Sequence, residues 1–274
     1  MNELLRVSLS ADYAGRPNVL KGVELELRRA EILALVGQSG SGKSTIALAI
    51  LGLLGMRGGT IRGQVLFEGA DLLLLPERRL REIRGRRIAL VPQSPLASLN
   101  PALKIGSQFK EAWKAHRPSD GDRWRREAFE ALELASLSGI PAILDCYPRE
   151  LSVGLAQRVL IALAILHRPA LVIADEPTSA LDVITQSEIL RLFDELNRRL
   201  GTSILYISHD LLSVASLSHR VAILNAGMIV ETGLTEQIFA SPADAYTARL
   251  IAALPRRPAL MDERQTADSS KVHS

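Results

Sequence analysis

The segment Gly37-Gln38-Ser39-Gly40-Ser41-Gly42-Lys43-Ser44-Thr45 constrains this chain more than any other stretch. It matches G-x-x-x-x-G-K-[ST], a glycine-rich turn that wraps a polyphosphate. Its flanks fit that reading. Ile32–Val36 (ILALV) is a short, continuous apolar run, the pattern of a strand buried on both faces in a parallel sheet. Thr45–Leu54 then reads as a helix packed on it. Glycines let the backbone approach the ligand closely. Successive N–H groups and the helix N-terminus direct positive potential at the negative charge. In this geometry Lys43 reaches the β- and γ-phosphates, and the Ser44 hydroxyl ligates Mg²⁺.

The rest of the chain supplies an α/β frame for that loop. Arg87–Val91 (RIALV), Leu171–Ala174, Ser203–Ser208 and Arg220–Leu224 are further short apolar runs, with helices between them, notably Gln186–Leu200. Met228–Thr232 follows a turn at Asn225–Gly227 and reads as a last β segment. Leu4–Ala11 and Val19–Leu27 alternate loosely, as strands of an antiparallel edge sheet do, and Gly63–Gly69 reads as a strand closed by a turn. From Ser94 to Leu166 strand signals vanish and helical periodicity takes over, punctuated at Pro118–Gly121 and Gly139–Pro141. This predicts a helical lobe, about 94–166, inserted into an α/β domain over 1–240. Residues 241–274 form a short C-terminal extension whose polar end reads as a frayed tail.

Composition excludes several classes. The 274 residues are 47% hydrophobic, enough to bury a full core. The net charge of +3 leaves acids nearly matching bases, which argues against a nucleic-acid-binding arm. The densest basic stretch, Arg78–Arg87, reads as a solvated helix face. Cys146 is the single cysteine, so no disulfide within the chain and no cysteine-ligated metal cluster is expected, and a reducing compartment follows. The first residues lack the basic and apolar regions of a signal peptide. No run approaches the roughly 20 apolar residues that span a bilayer. Thr45–Met56 is too short, and Val159–Ile173 is broken by His167, Arg168 and Pro169. Any work on a membrane is expected from its side.

A second chemical signal is Leu171-Val172-Ile173-Ala174-Asp175-Glu176, a buried strand ending in two acids. Ligands sit at the carboxyl ends of such strands. There Asp175 can hold Mg²⁺ through its water shell, and Glu176 can orient or deprotonate an attacking water. Four further elements complete a fixed order. Gln93 follows RIALV, and Leu151-Ser152-Val153-Gly154-Leu155 precedes a helix. Pro177-Thr178-Ser179-Ala180-Leu181-Asp182 follows Glu176 directly, and Ser208-His209-Asp210 ends the next strand. With the order Walker A, Q-loop, signature, Walker B, D-loop and H-loop, the chain resembles the ABC ATPase family over nearly its whole length.

The resemblance implies a P-loop NTPase with a RecA-like α/β core, an antiparallel β edge subdomain and an inserted α-helical lobe. It implies ATP and Mg²⁺ as cofactors and ATP hydrolysis coupled to transmembrane solute transport. Tyr13 would stack on adenine. Gln93 would touch Mg²⁺ and sense a permease, and His209 would contact the γ-phosphate. Ser152, the amides of Val153–Leu155, Gly154 and Gln157 would meet nucleotide held by a second ABC ATPase subunit in a head-to-tail dimer, with Asp182 communicating across that interface. Integral-membrane permease subunits and, indirectly, a solute-binding protein are the other implied partners. Nucleic acid is not among them. The implied location is peripheral, on the cytoplasmic face of the membrane. His116, His167, His219 and His273 match no site.

Two positions depart from the family pattern. Leu151–Arg158 reads LSVGLAQR, with Val153 where glycine is usual. A β-branched residue there would be strained if the backbone needed φ > 0, giving a working but weakened half-site. Arg29-Ala30-Glu31 has Ala30 where glycine usually precedes the glutamate, with a local turn effect expected. Pro92–Pro101, Tyr147-Pro148, Ala174–Gln186 and the run Ser241-Pro242, Tyr246-Thr247, Leu250 and Ala253-Leu254-Pro255 resemble the dipeptide/oligopeptide/nickel importer subfamily. In that group two different ATPase subunits often pair, which would tolerate one unusual signature. The alternatives are an ATP-dependent regulatory partner with a degenerate half-site and a non-transport ABC ATPase. The latter would carry coiled coils or zinc modules between Lys43 and Ser152, where this chain has no sustained heptads.

Overall fold

A computed structural model describes residues 2–119, 122–138 and 141–254. The polar tail and His273 lie outside the described residues, as do parts of the punctuating segments at 118–121 and 139–141. Among the described residues ten strands run β1 (Glu3–Tyr13), β2 (Arg16–Arg28), β3 (Ile32–Val36), β4 (Gly59–Phe67), β5 (Ala70–Asp71), β6 (Ile88–Val91), β7 (Leu171–Asp175), β8 (Ser203–Ser208), β9 (Arg220–Asn225) and β10 (Met228–Leu234). The α-helices are α1 (Lys43–Ile50), α2 (Glu77–Ile83), α3 (Pro95–Ser98), α4 (Ile105–Lys114), α5 (Arg123–Leu134), α6 (Val153–Ile165), α7 (Val183–Leu200), α8 (Leu211–Leu217), α9 (Thr235–Ala240) and α10 (Ala245–Ala252).

The strands form two sheets. One is antiparallel, in the order β2-β1-β4-β5. The other runs β10-β9-β3-β8-β7-β6, parallel except for the edge strand β10. The period-2 geometry of a strand explains how β3 joins two cores. Ile32, Ala34 and Val36 face a core shared with α4–α8, while Leu33 and Leu35 face a second core built from α1 and the antiparallel sheet. Burial on both faces is why ILALV carries no polar residue. Among the described residues between β6 and β7 there is no strand, only the helical layer that begins at α3.

Helix boundaries follow local chemistry. The helix expected over Thr45–Leu54 begins at Lys43 and ends at Ile50. Gly52 adopts φ 62°, and Leu53 N–H returns to Leu48 C=O at 2.8 Å, the left-handed closure that only glycine makes without strain. Arg84 finishes that end by donating to Leu51 C=O (2.6 Å) and Gly52 C=O (3.1 Å). The basic stretch Arg78–Arg87 is therefore only partly a solvated face, because Arg84 is a structural pin. Ser152 caps α6 by accepting from Leu155 N–H (3.3 Å), and Asp182 caps α7 by accepting from Ile184 and Thr185 N–H.

Candidate nucleotide site

Sheet order assembles the site. β3, β8, β7 and β6 are consecutive neighbours, so the segments leaving their carboxyl ends emerge side by side. Val36 pairs with Ser208, Asp175 with Ile207, and Ala174 with Val91. The phosphate loop, His209, Asp175-Glu176 and Gln93 thus converge from four distant parts of the chain.

The loop tolerates nothing larger than glycine at two points. A Cβ on Gly37 would lie 2.3 Å from Leu224 C=O, and Gly42, at φ 110°, would place one 2.6 Å from Leu20 Cδ2. Gly40 is also left-handed, at φ 77°. Lys43 is buried, its Nζ donating to Gly37 C=O (2.8 Å) and Gln38 C=O (3.1 Å). The Ser44 hydroxyl favours the charged form of the Asp175 carboxylate, while Asp175 Oδ1 is buried without a partner. Burial pushes the Asp175 carboxyl above the usual carboxylate range and the Glu176 charge adds to it, against the Ser44 hydroxyl and the Lys43 charge.

Glu176 is the hub. One carboxylate oxygen lies 3.6 Å from Lys43 Nζ. The other lies 3.2 Å from Gln93 Nε2 and 3.2 Å from His209 Nδ1. Its backbone sits at φ 47°, a left-handed position that costs a non-glycine residue on the order of 1 kcal/mol. Such strain persists where surrounding structure imposes it, and here the Glu176 N–H is held by Ile207 C=O at 2.9 Å.

Tyr13, at the end of β1, faces the loop across a cavity of about 240 Å³ that Ser39, Gly40, Gly42, Lys43, Ser44, Thr45, Gln93 and Glu176 also line. Arg16 lines it too, its Nη2 3.9 Å from the point a Gly40 Cβ would occupy. Sequence reasoning missed Arg16; its one signal was a basic residue shortly after Tyr13, where β2 begins. A second cavity, about 360 Å³, opens beyond His209 between Gln38, Leu211 and Leu250. Ser41 Oγ is buried beside Gly37 and lacks a partner.

The residues expected to meet a second subunit's nucleotide lie apart from this cavity. No residue of Leu151–Arg158 lines it. Gln157 is fully buried within the helical layer, and neither amide atom has a partner, so it presents no group at the surface for a nucleotide. Gly154 is set by close packing, since a Cβ there would meet Thr185 Cγ2 at 2.9 Å. Val153 does not adopt positive φ and begins α6 as an ordinary helical residue, so the strain expected there is absent. Asp182 is exposed, and the Thr185 N–H and hydroxyl hold its carboxyl below the usual range. Of the unassigned histidines, His219 accepts from Ile32 N–H at 2.9 Å, and burial lowers the pKa of His116 and His167.

A family model described as ABC transporter matches residues 20–179. The chain is 42% identical over 256 residues to the oligopeptide transport ATP-binding protein OppD of Bacillus subtilis, covering 93% of this chain and 72% of the relative. It is 42% identical over 260 residues to the dipeptide transport ATP-binding protein DppD of Caldanaerobacter subterraneus, covering 92% and 78%. Among solved structures, a dimeric ATP-binding cassette with bound ADP and phosphate aligns with a TM-score of 0.72 at 28% identity, over 86% of this chain and 99% of that one. A component of an ABC transporter complex from Clostridium perfringens aligns with a TM-score of 0.76 at 27% identity, over 88% and 92%. With this family match and relatives of this similarity, the chain belongs to the ABC transporter family as one of its ATP-binding cassettes.

Proposed function

We propose that this cassette hydrolyses ATP to energise an importer of the peptide class, as a peripheral subunit on the cytoplasmic face of a membrane permease. The observation that carries the reading is the Glu176 carboxylate, which ends a buried strand beside Lys43, Gln93 and His209. A general base must lie within hydrogen-bond reach of the water whose proton it takes as that water attacks phosphorus. On ATP binding, Lys43 exchanges the Gly37 and Gln38 carbonyls for phosphate oxygens. Glu176 accepts a proton from the attacking water, and His209 holds the γ-phosphate. Gln93, bonded to Glu176, reports the state of that carboxylate to the helical layer that follows it. Tyr13 supports adenine, and Arg16 adds positive charge beside the phosphate loop.

The Ser44–Asp175 pair fits a magnesium ion. It offers one hydroxyl and one carboxylate, and Asp175 Oδ1 lacks any other partner. Among the described residues no cluster of three His, Cys, Asp or Glu forms a protein cage for a metal, which suits an ion that shares its ligands with phosphate and water. Bound there, a magnesium ion would supply positive charge to offset the negative charge of the phosphate oxygens.

The relatives' names favour peptides over nickel as cargo. No helix among the described residues is long and apolar enough to cross a membrane, so permease subunits must supply the path. A second cassette supplies the signature that this chain's own cavity lacks. The test is ATP turnover by the assembled complex with Glu176→Gln. Turnover is expected to fall about 10²-fold or more while ATP binding persists. Equal rates in parent and variant would overturn the hydrolytic reading.

A further inference from the structure

Two contacts tie α6, which begins at the signature, to α7, which begins at Asp182. Gly154 lies against Thr185, where a Cβ would approach Cγ2 to 2.9 Å. One turn on, Arg158 Nη2 donates to Glu188 Oε2 at 2.8 Å. Gly154 and Arg158 are four apart on one face of α6, and Thr185 and Glu188 three apart on one face of α7, so the contacts stack as two rungs. Thr185 is itself fastened to Asp182 through its N–H (3.0 Å) and its hydroxyl (2.7 Å). The Arg158 guanidinium also donates to Ala135 C=O at the end of α5 (3.3 Å), and its side chain is only 14% exposed. A planar fork spanning three helices is a task lysine cannot perform. α6 otherwise packs against α3–α5 and β6, whereas α7 packs against α8 and β8. The rungs therefore bridge the helical layer and the core.

We infer that Arg158 and Glu188 form a brace that holds Ser152 and Asp182 as one unit, making Arg158 a positioning residue for nucleotide bound to a second cassette. The inference rests on the proposed ATPase reading for its catalytic consequence, because no residue of the signature lines this chain's own cavity. A brace serving another chain's site must act in trans.

The experiment uses paired cassettes in which one carries Lys43→Ala, leaving a single working ATP site on the other. Arg158→Ala in the Lys43→Ala cassette alters the signature that faces the working site. Turnover is expected to fall about 10-fold through kcat, the scale of one lost charge-assisted hydrogen bond. The same substitution in the working cassette is expected to cost several-fold less, and Arg158→Lys in trans should not rescue. Equal losses in both placements would overturn the brace. If Arg158→Ala fails to fold, Glu188→Ala removes the other end from a half-exposed position and takes the same test. Amide hydrogen exchange supplies a readout independent of turnover: the brace predicts faster exchange at Val153–Leu155 in Glu188→Ala, and unchanged exchange would sink it. A parent assembly that hydrolyses no ATP would overturn the ATPase reading instead, leaving exchange to decide the brace.

Discussion

Ala30 and Val153 stand where the motif pattern leads one to expect glycine, and the backbone treats them differently. Ala30 sits at φ 54°, a left-handed conformation that L-residues with a Cβ disfavour by about 1–2 kcal/mol. Val153 has no such conformation and occupies the first position of α6, after its Ser152 cap. The strained position is therefore Ala30, tied through its N–H to Ser203 Oγ at 2.8 Å and lining neither cavity of the site. Ala30→Gly is expected to stabilise the chain by about 0.5–1 kcal/mol once the greater freedom of the unfolded glycine is subtracted. Val153→Gly is expected to cost a few tenths of a kcal/mol of helix propensity, seen as a slightly lower melting temperature, without raising turnover. Thermal melts and ATPase rates on the two variants check both statements. A faster Val153→Gly enzyme would show that valine weakens the signature.

Elements with one dominant local cause were legible in the sequence. ILALV, LVIA and SILYIS are strands because both faces must be apolar in the middle of a parallel sheet. Helix ends were less legible, because their causes lie elsewhere in the chain. The apolar run to Leu54 continues past the end of α1, which is set by Gly52 and by Arg84, 33 residues from its acceptor Leu51. Gln157 shows the same dependence: a motif gives order along the chain, while the turn of the helix sets its amide among buried side chains. β7 shows an element shaped against its own stability, since it ends in a carboxylate whose burial raises its pKa. A raised carboxyl pKa means that the folded chain binds the proton more tightly than the unfolded chain, so ionised Asp175 disfavours folding at neutral pH. Asp175→Asn removes that charge. In magnesium-free, nucleotide-free solution the variant is expected to melt higher than the parent at pH 7. The gain should shrink as pH falls through the raised pKa and vanish below the ordinary carboxylate range. Melting temperatures across pH test this, and a gain that grows on acidification would contradict it.

At the scale of the molecule, the six motifs gave the inventory of the site but not its spatial order. Nothing local states that β8 lies between β3 and β7; that adjacency puts His209 beside Glu176. Arg16 and Leu250 were hidden likewise, since each reaches a cavity wall only through strand pairing at the start of β2 or the packing of α10. The same folding leaves the signature outside the chain's own cavity and exposes an apolar step beside it. Val183 and Ile184, directly after Asp182, are 82% and 74% exposed, and Val153 is exposed on the adjoining helix. Exposed valine and isoleucine next to the residues expected to meet a second cassette are suited to burial in that contact. Replacing either with aspartate removes no buried packing, so the isolated chain should keep its stability to within about 0.5 kcal/mol. A new charge in the contact, by contrast, would have to be desolvated on association without a partner. Cassettes carrying Glu176→Gln should accumulate as ATP-bound dimers, and adding Val183→Asp or Ile184→Asp should return them to monomers. Sedimentation in the presence of ATP distinguishes the two, and dimers that persist at the same protein concentration would remove this surface from the interface.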